Sequence, residues 1–413
     1  MTSKATHIQA GYIALNDAAP LIIARECGFA EAEGIDLHLH KETSWATLRD
    51  KLAIGLFDVA HLLAPISVAA SCKLFPLPLD IVVPMALGLG GNMVTMARSI
   101  WDGHAPASGP VSFDAGAAGA RLKAMIEDRR ARGNPKLRLG AVHPYSAHNY
   151  ELRYWLAGCG IDPDQDTDIV FLPPSTMPDA LRSGALDAFC VGEPWNSAAI
   201  LDGDGVLLTT KGHIWQNSPD KVLGVRRSFA LDQQEAHYAL LRALYKAAEW
   251  IESPANKEEL CRILSAPGYI GLSETRLKPG FNGAIETGLA DPERLNMPDF
   301  YLPLSRAALF PKESHALWFY SQMVRWGHVE LSDDHIARVR ASCHPEMLRA
   351  ALAPLDIALP DTQQDILSAQ DIQSPIASDQ GLGSLGPDVF FDRIPFDPDA
   401  LAAYVAGQRV GKN

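Results

Sequence analysis

The chain has 413 residues, 47% of them hydrophobic and 21% charged, which is enough for two or three globular domains with buried cores. Its 36 Lys and Arg against 49 Asp and Glu leave a formal charge of −13, which repels nucleic acid and anionic membrane as a bulk effect, so a bound anion must be held by a local pocket. No run of about 18 apolar residues offers a membrane helix.

In chain order, the start "MTSKATHIQAGYIALNDAAP" carries one early Lys but no apolar stretch with a small-residue cleavage site, so no export signal is expected. The 6 cysteines are widely spaced and form no C-x-x-C, which fits reduced thiols in the cytoplasm, with Cys159 and Cys190 as core fillers. The stretch "HIQAGYIALNDAAPLIIARECGFAEAEGIDLHLHKETSW" predicts strand, polar loop, a helix closed by Gly28, strand and loop. "LRLGAVHPYSAHNYELRYWLAGCGIDPDQDTDIVFLPPS" gives the same order, its helix closing at Gly158 and Gly160.

Two shorter segments reinforce the likeness. "LAIGLFDVAHLLAP" (52–65) and "LRSGALDAFCVGEP" (181–194) share Leu, Gly, Asp and Pro at an offset of 129 residues (181 − 52). Two βαβαβ units follow, and with them an α/β protein of two lobes facing a cleft. Under this repeat Trp45 corresponds to Pro174 and Leu63 to Gly192, so equivalent loops converge. After the apolar strand around Phe189, Gly192 frees the backbone, Pro194 removes a ladder donor and Trp195 is expected to stand exposed in a turn. That junction is the carboxyl end of a strand, where open α/β sheets bind ligands.

Lobe I is read over 1–100, lobe II over 101–218, and 219–355 returns to lobe I through the strand "KVLGVRR". The next helix, "LDQQEAHYALLRALYKAAEWIES", is given Asp232 as N-cap and Glu235 at the capping-box position. A shorter helix follows in "PANKEELCRILSAP", and 311–352 is helical in period and expected against lobe I. Residues 356–413 read as a wrapping tail ending in one short helix.

The most informative polar cluster is "HPYSAHNYELRYW". Ser146 suits an N-cap, which puts His148 and Asn149 in a first helical turn whose free N–H groups favour an anion. Lys221 lies at the mouth of the return strand, and Trp45 is a ring in a polar loop. Each has a purely structural reading as well: a helix-start His caps or packs, a strand-start Lys is solvated, a loop Trp lids a core. No G-x-S-x-G, H-E-x-x-H or Walker-type phosphate loop is present, so no enzyme and no cofactor are indicated. His38 and His40 share one strand face and Cys343 abuts His344, but neither pair shows further ligands along the chain, so no metal is expected.

The runs "HNYELRYWLAGCGIDPDQDTDIVFLPPSTM", "GALDAFCVGEPWN", "IWQNSPDK" and "FPKESHALWFYSQMVRWG" closely resemble the nitrate-binding solute receptor family of ABC transporters, over about residues 7–330. The resemblance implies the type II periplasmic-binding-protein fold and nitrate held in the cleft by Trp45, His148, Pro174, the Gly192 backbone and Lys221. A family Gln in an N-G-Q turn falls on Asn92, a shorter amide. Nitrate is a flat anion with three acceptor oxygens. The implied division of labour is charge from Lys221, donors from His148, Asn92 and Gly192, and faces covered by Trp45 and Pro174. Bicarbonate-binding relatives are expected to carry an acidic, metal-assisted set, and this cationic one speaks for nitrate or nitrite.

Without an export signal the resemblance points to the cytosolic NasS-type sensor branch. Such a sensor holds an ANTAR-type RNA-binding antiterminator protein (NasT-like) and releases it on ligand binding, without touching RNA itself. A transport receptor whose signal was trimmed is the alternative. Two further readings are a thiamine-pyrimidine-forming enzyme of the same fold, whose Cys-rich iron-binding run is absent, and a receptor domain cut from a transporter ATPase, disfavoured by the missing Walker motif.

Overall fold

The strand and helix alternation builds two five-stranded sheets in a computed structural model that describes residues 5–104, 111–357, 359–360 and 388–408. The first sheet begins with β1 (Thr6–Ile13), β2 (Ile35–Glu42), β3 (Val59–Leu63) and β4 (Ile81–Ala86). After the two-residue β5 (Leu89–Gly90), the second comprises β6 (Asn92–Ala97), β7 (Leu137–Ala141), β8 (Thr167–Phe171), β9 (Ala188–Gly192) and β10 (Gly205–Thr210). β11 (Lys221–Arg226) then returns to the first.

The sheets share one design. Their orders are β2-β1-β3-β11-β4 and β10-β6-β9-β7-β8. β1 runs parallel to β2 and β3, as β7 does to β8 and β9. The next neighbour is antiparallel in each: β11 beside β3, β6 beside β9. Each lobe therefore takes one strand that the chain reaches by crossing from the other, at 87–91 and again at 211–220. The first crossing lies ahead of the residue-100 boundary read from sequence. The two crossings are bonded side by side, Leu87 N–H donating to the Lys221 carbonyl and Gly90 N–H to that of Ser218, both at 2.9 Å.

The sequence repeat has a structural cause in this design. β3 and β9 are buried along their whole length, as central strands covered on both faces must be. Gly28 and Gly160 follow the helices Ala19–Glu26 and Ala147–Gly158 with φ of 74° and 73°, the left-handed conformation that terminates a helix cheaply only in glycine.

Several expectations are corrected. Trp195 is not exposed: the Gly192–Trp195 junction is buried because the Ala14–Asn16 loop of lobe I covers it. Trp195 Nε1 donates to the Ala14 carbonyl at 3.0 Å, and Asn16 N–H donates to the Glu193 carbonyl at 2.8 Å. The helix Gln234–Glu252 has no Asp232 cap, since a preceding helix, Arg227–Asp232, consumes that residue to bury Phe229 and Ala230. The helix Glu313–Arg325 packs on lobe II as well as lobe I, touching both Ala64–Ser71 and Ala147–Gly158. Its Trp318 stands 4.6 Å from Trp215 of the second crossing and 5.5 Å from Phe390, ring centre to ring centre. Cys190 is a core filler, while Cys159 is only partly buried. The tail's final helix is present at Leu401–Gly407; residues 361–387 of that tail lie outside the described residues.

Gly90 shows how tightly the crossing is built. Its φ is 77°, and an added Cβ would fall 2.2 Å from the Phe300 carbonyl oxygen. Gly184, with φ 70°, faces open space. Urea denaturation should show Gly90→Ala losing about 2 kcal/mol or more and Gly184→Ala only about 1 kcal/mol, the left-handed penalty alone. Equal losses would contradict the packed crossing.

Candidate functional site

The site forms where the crossings meet the carboxyl ends of β3 and β9. Lys221 opens β11 opposite Leu63, so its side chain enters the space between the lobes with only 1% exposure. An ammonium buried that deeply needs compensation. Its Nζ donates to Asp17 Oδ2 at 2.9 Å and to its neighbour Asp220. Burial alone would depress the amine, but the two carboxylates outweigh it and hold Lys221 above its ordinary pKa. Both acids are held below the usual carboxylate range against their own burial: Asp17 chiefly by Lys221 and His61, Asp220 chiefly by His148 and Lys221.

Helix starts supply the next groups. Ser44 and Ser146 cap the helices Trp45–Ala53 and Ala147–Gly158, accepting from Thr47 N–H at 3.5 Å and Asn149 N–H at 3.0 Å. The caps place Trp45 first and His148 second in their helices, and both side chains are buried. The Trp45 ring centre is 5.5 Å from Lys221 Nζ and 5.5 Å from the His61 ring centre. Its indole N–H, a donor only, has no acceptor among the described residues. Among the described residues neither nitrogen of His148 has a hydrogen-bond partner, although Nε2 stands 3.4 Å from Asp220 Oδ2. Burial pushes the His148 imidazole down to about 3, Asp220 opposing and Lys221 assisting, so the ring is neutral near pH 7.

β6 and β9 complete the wall. Asn92 pairs with Gly192, and its Nδ2 donates to Asp220 Oδ2 at 2.8 Å while Oδ1 is unpartnered. A Cβ on Gly192 would lie 3.0 Å from Asn92 Oδ1 and 3.5 Å from Asp17 Oδ2, so only glycine leaves the niche its width. Of the six residues singled out in the sequence, Trp45, Asn92, His148, Gly192 and Lys221 are thus joined by short distances. Pro174 is buried at the start of the 3₁₀ turn after β8, the counterpart of Trp45, and contributes no polar group. A groove of about 640 Å³ between Phe75 and Arg338 shares none of these residues.

Two expectations about the niche need correction. It is not a purely cationic pocket, because Asp17 and Asp220 flank Lys221. Asn92 is not a free donor either, since one of its N–H groups is committed to Asp220. Sequence reasoning missed Asp17, His61 and Asp220. Asp17 gave no local signal, because only folding brings it to Lys221. His61 lies mid-strand in β3, its Nε2 2.9 Å from Asp17 Oδ1. A second buried pair lies behind, Lys211 with Glu151 at 3.2 Å; burial pushes the Glu151 carboxyl up to about 7 against the pull of Lys211.

Removing the ammonium leaves two buried carboxylates unpaired. Lys221→Met should cost about 3–5 kcal/mol in urea denaturation at pH 7. The deficit should shrink as pH falls toward about 5. The wild type gains stability from Asp17 and Asp220 only where they are ionised, whereas in the variant these acids are relieved by taking up protons. A deficit that is constant with pH would contradict the pairing.

Comparison with known proteins agrees with this architecture. Residues 2–265 match the model of the NMT1-like family. The chain is 33% identical over 406 residues to the nitrate/nitrite binding protein NrtA of Synechococcus elongatus, covering 96% of this chain and 85% of that protein. It is 30% identical over 401 residues to the bicarbonate transport ATP-binding protein CmpC of the same organism, covering 97% of this chain and 54% of that protein. The crystal structure of the periplasmic nitrate-binding protein NrtA from Synechocystis PCC 6803 superposes with a TM-score of 0.83 at 29% identity, covering 98% of this chain and 99% of that one. The fold is therefore that of the periplasmic binding proteins, its two α/β lobes facing a cleft. The chain belongs to the NMT1-like family and is homologous to the nitrate-binding receptors of ABC transporters.

Proposed function

We propose that this chain binds nitrate or nitrite between its lobes and acts in the cytoplasm as a sensor. In this reading the ligand-free form sequesters an ANTAR-type RNA-binding antiterminator, and ligand binding releases it so that nitrate-assimilation genes are read through. The observation that carries the anion assignment is the set of buried donors gathered around Lys221: among the described residues the Trp45 indole N–H has no acceptor and the His148 ring no hydrogen bond. Buried polar groups are ordinarily paired, and a small oxyanion supplies the acceptors these lack. Nitrate offers three, in one plane, beside a charged amine and an indole face.

The charge count adds a requirement. One ammonium faces two carboxylates and a neutral His148, so an entering anion raises the negative charge of the niche. A proton on His148 offsets it. The bound anion favours imidazolium and lifts the pKa of His148 from about 3, so binding takes up a proton at any pH between the free and bound values. Nitrate affinity should accordingly rise as pH is lowered from about 8 to about 5, and less so in His148→Gln.

Calorimetry with nitrate, nitrite, bicarbonate and sulfate tests the assignment. Nitrate and nitrite should bind at one site per chain, with losses of at least about tenfold in Lys221→Ala and His148→Ala. Full affinity in both variants removes the site, and tighter binding of bicarbonate replaces the ligand.

The regulatory part goes beyond the homology to nitrate-binding receptors, and a charge of −13 suits a protein that acts through a partner and not on RNA directly. Homology to transport receptors supports the second reading, in which the chain delivers the anion to a membrane permease. Gel filtration with a purified antiterminator separates the two: a sensor co-elutes without nitrate and dissociates with it, whereas a transport receptor elutes alone in both.

A further inference from the structure

The imidazoles of His7 and His38 and the carboxylate of Asp36 converge on the outer face of lobe I, at the edge of its sheet. The sequence suggested no further ligand for His38, but pairing supplies two. β1 and β2 run parallel in a register that sets His7 beside Asp36 and Gln9 beside His38. Successive side chains of a strand alternate between faces, so His7, Asp36 and His38 emerge together from the polar side while Ile8 and Leu37 enter the core. β2 is the edge strand of its sheet, paired on one side only.

We propose that His7, Asp36 and His38 form a binding site for a divalent transition metal of the zinc class. His7 Nδ1 lies 2.8 Å from Asp36 Oδ2, His38 Nε2 lies 3.0 Å from the same oxygen, and the two nitrogens are 3.2 Å apart. Ligand atoms about 2.0–2.1 Å from a tetrahedral zinc ion are separated by roughly 3.3 Å, so a modest opening of this triangle seats an ion roughly 0.7 Å above its plane. Two imidazoles and one carboxylate are a donor set suited to zinc, copper or nickel and not to magnesium or calcium. The three side chains are 44–57% exposed, which leaves the fourth position to water and the ion a path of entry. His40, the third histidine of this face, is engaged elsewhere: its Nε2 is 2.6 Å from Gln9 Oε1 and its ring stacks on Phe57.

The occupied site would clamp β1 to the edge strand β2. This differs from the interlobe niche in both place and chemistry, and it does not depend on the nitrate assignment. The test is zinc titration of the full chain against a chromophoric chelator, with thermal melting in parallel, on the wild type, His7→Gln and His38→Gln. One zinc per chain should be retained, the melting temperature should rise with zinc, and each variant should lose at least about tenfold in affinity along with the thermal shift. Both variants should keep wild-type melting in the absence of zinc, because the side chains are on the surface. Zinc uptake that is absent from the wild type, or unchanged in both variants, overturns the site.

Discussion

The structure depends on one buried charge. Lys221 carries its ammonium into a space almost closed to water, where an unpaired cation would be forced to deprotonate or to pull the fold open. The chain answers with two carboxylates from different places: Asp17 from the turn after β1, and Asp220 from the end of the second crossing. Asp220 is steadied in turn by Asn92 at the start of β6, in the opposite lobe. The node therefore reaches across the cleft, and the geometry of both lobes is referred to it.

This arrangement explains why a receptor can be built here at all. Lys221 stays charged only because it is paired, and in the proposed reading an anion that engages it would also have to satisfy Trp45 and His148 and accommodate the nearby acids. Gly192 leaves the niche its width, and Trp195 and Asn16 seal it from the side. A ligand that touches groups from both lobes stabilises one relative posture over another, and only that difference in affinity can move a partner. The aromatic group of Trp215, Trp318 and Phe390 couples a crossing to the C-terminal segments, so a change in posture has a physical route to the outer surface.

Much of this was legible in the residues. The internal repeat foretold the paired sheets because Gly55 and Gly184, Leu63 and Gly192 perform the same backbone tasks in each lobe. Ser146 announced the helix start that presents His148. What escaped was whatever depends on segments far apart in the chain meeting in the fold. Trp195 looked exposed because its cover, the loop Ala14–Asn16, comes from nearly two hundred residues away in sequence. The niche looked cationic because Asp17 and Asp220 are ordinary acids until folding places them on Lys221. The partners of His38 were hidden for the same reason: a parallel pairing with β1, not a local motif, brings His7 and Asp36 beside it.

The central claim is that an oxyanion is held at the buried Lys221 node between the lobes. Diffraction from crystals of the nitrate-loaded protein tests it most directly. The account predicts nitrate within hydrogen-bond distance of Lys221 Nζ, the Trp45 indole nitrogen and a His148 ring nitrogen, with one of its faces toward the Trp45 ring. Nitrate bound elsewhere, with Lys221 still bonded to both Asp17 and Asp220 as in this structure, would contradict it.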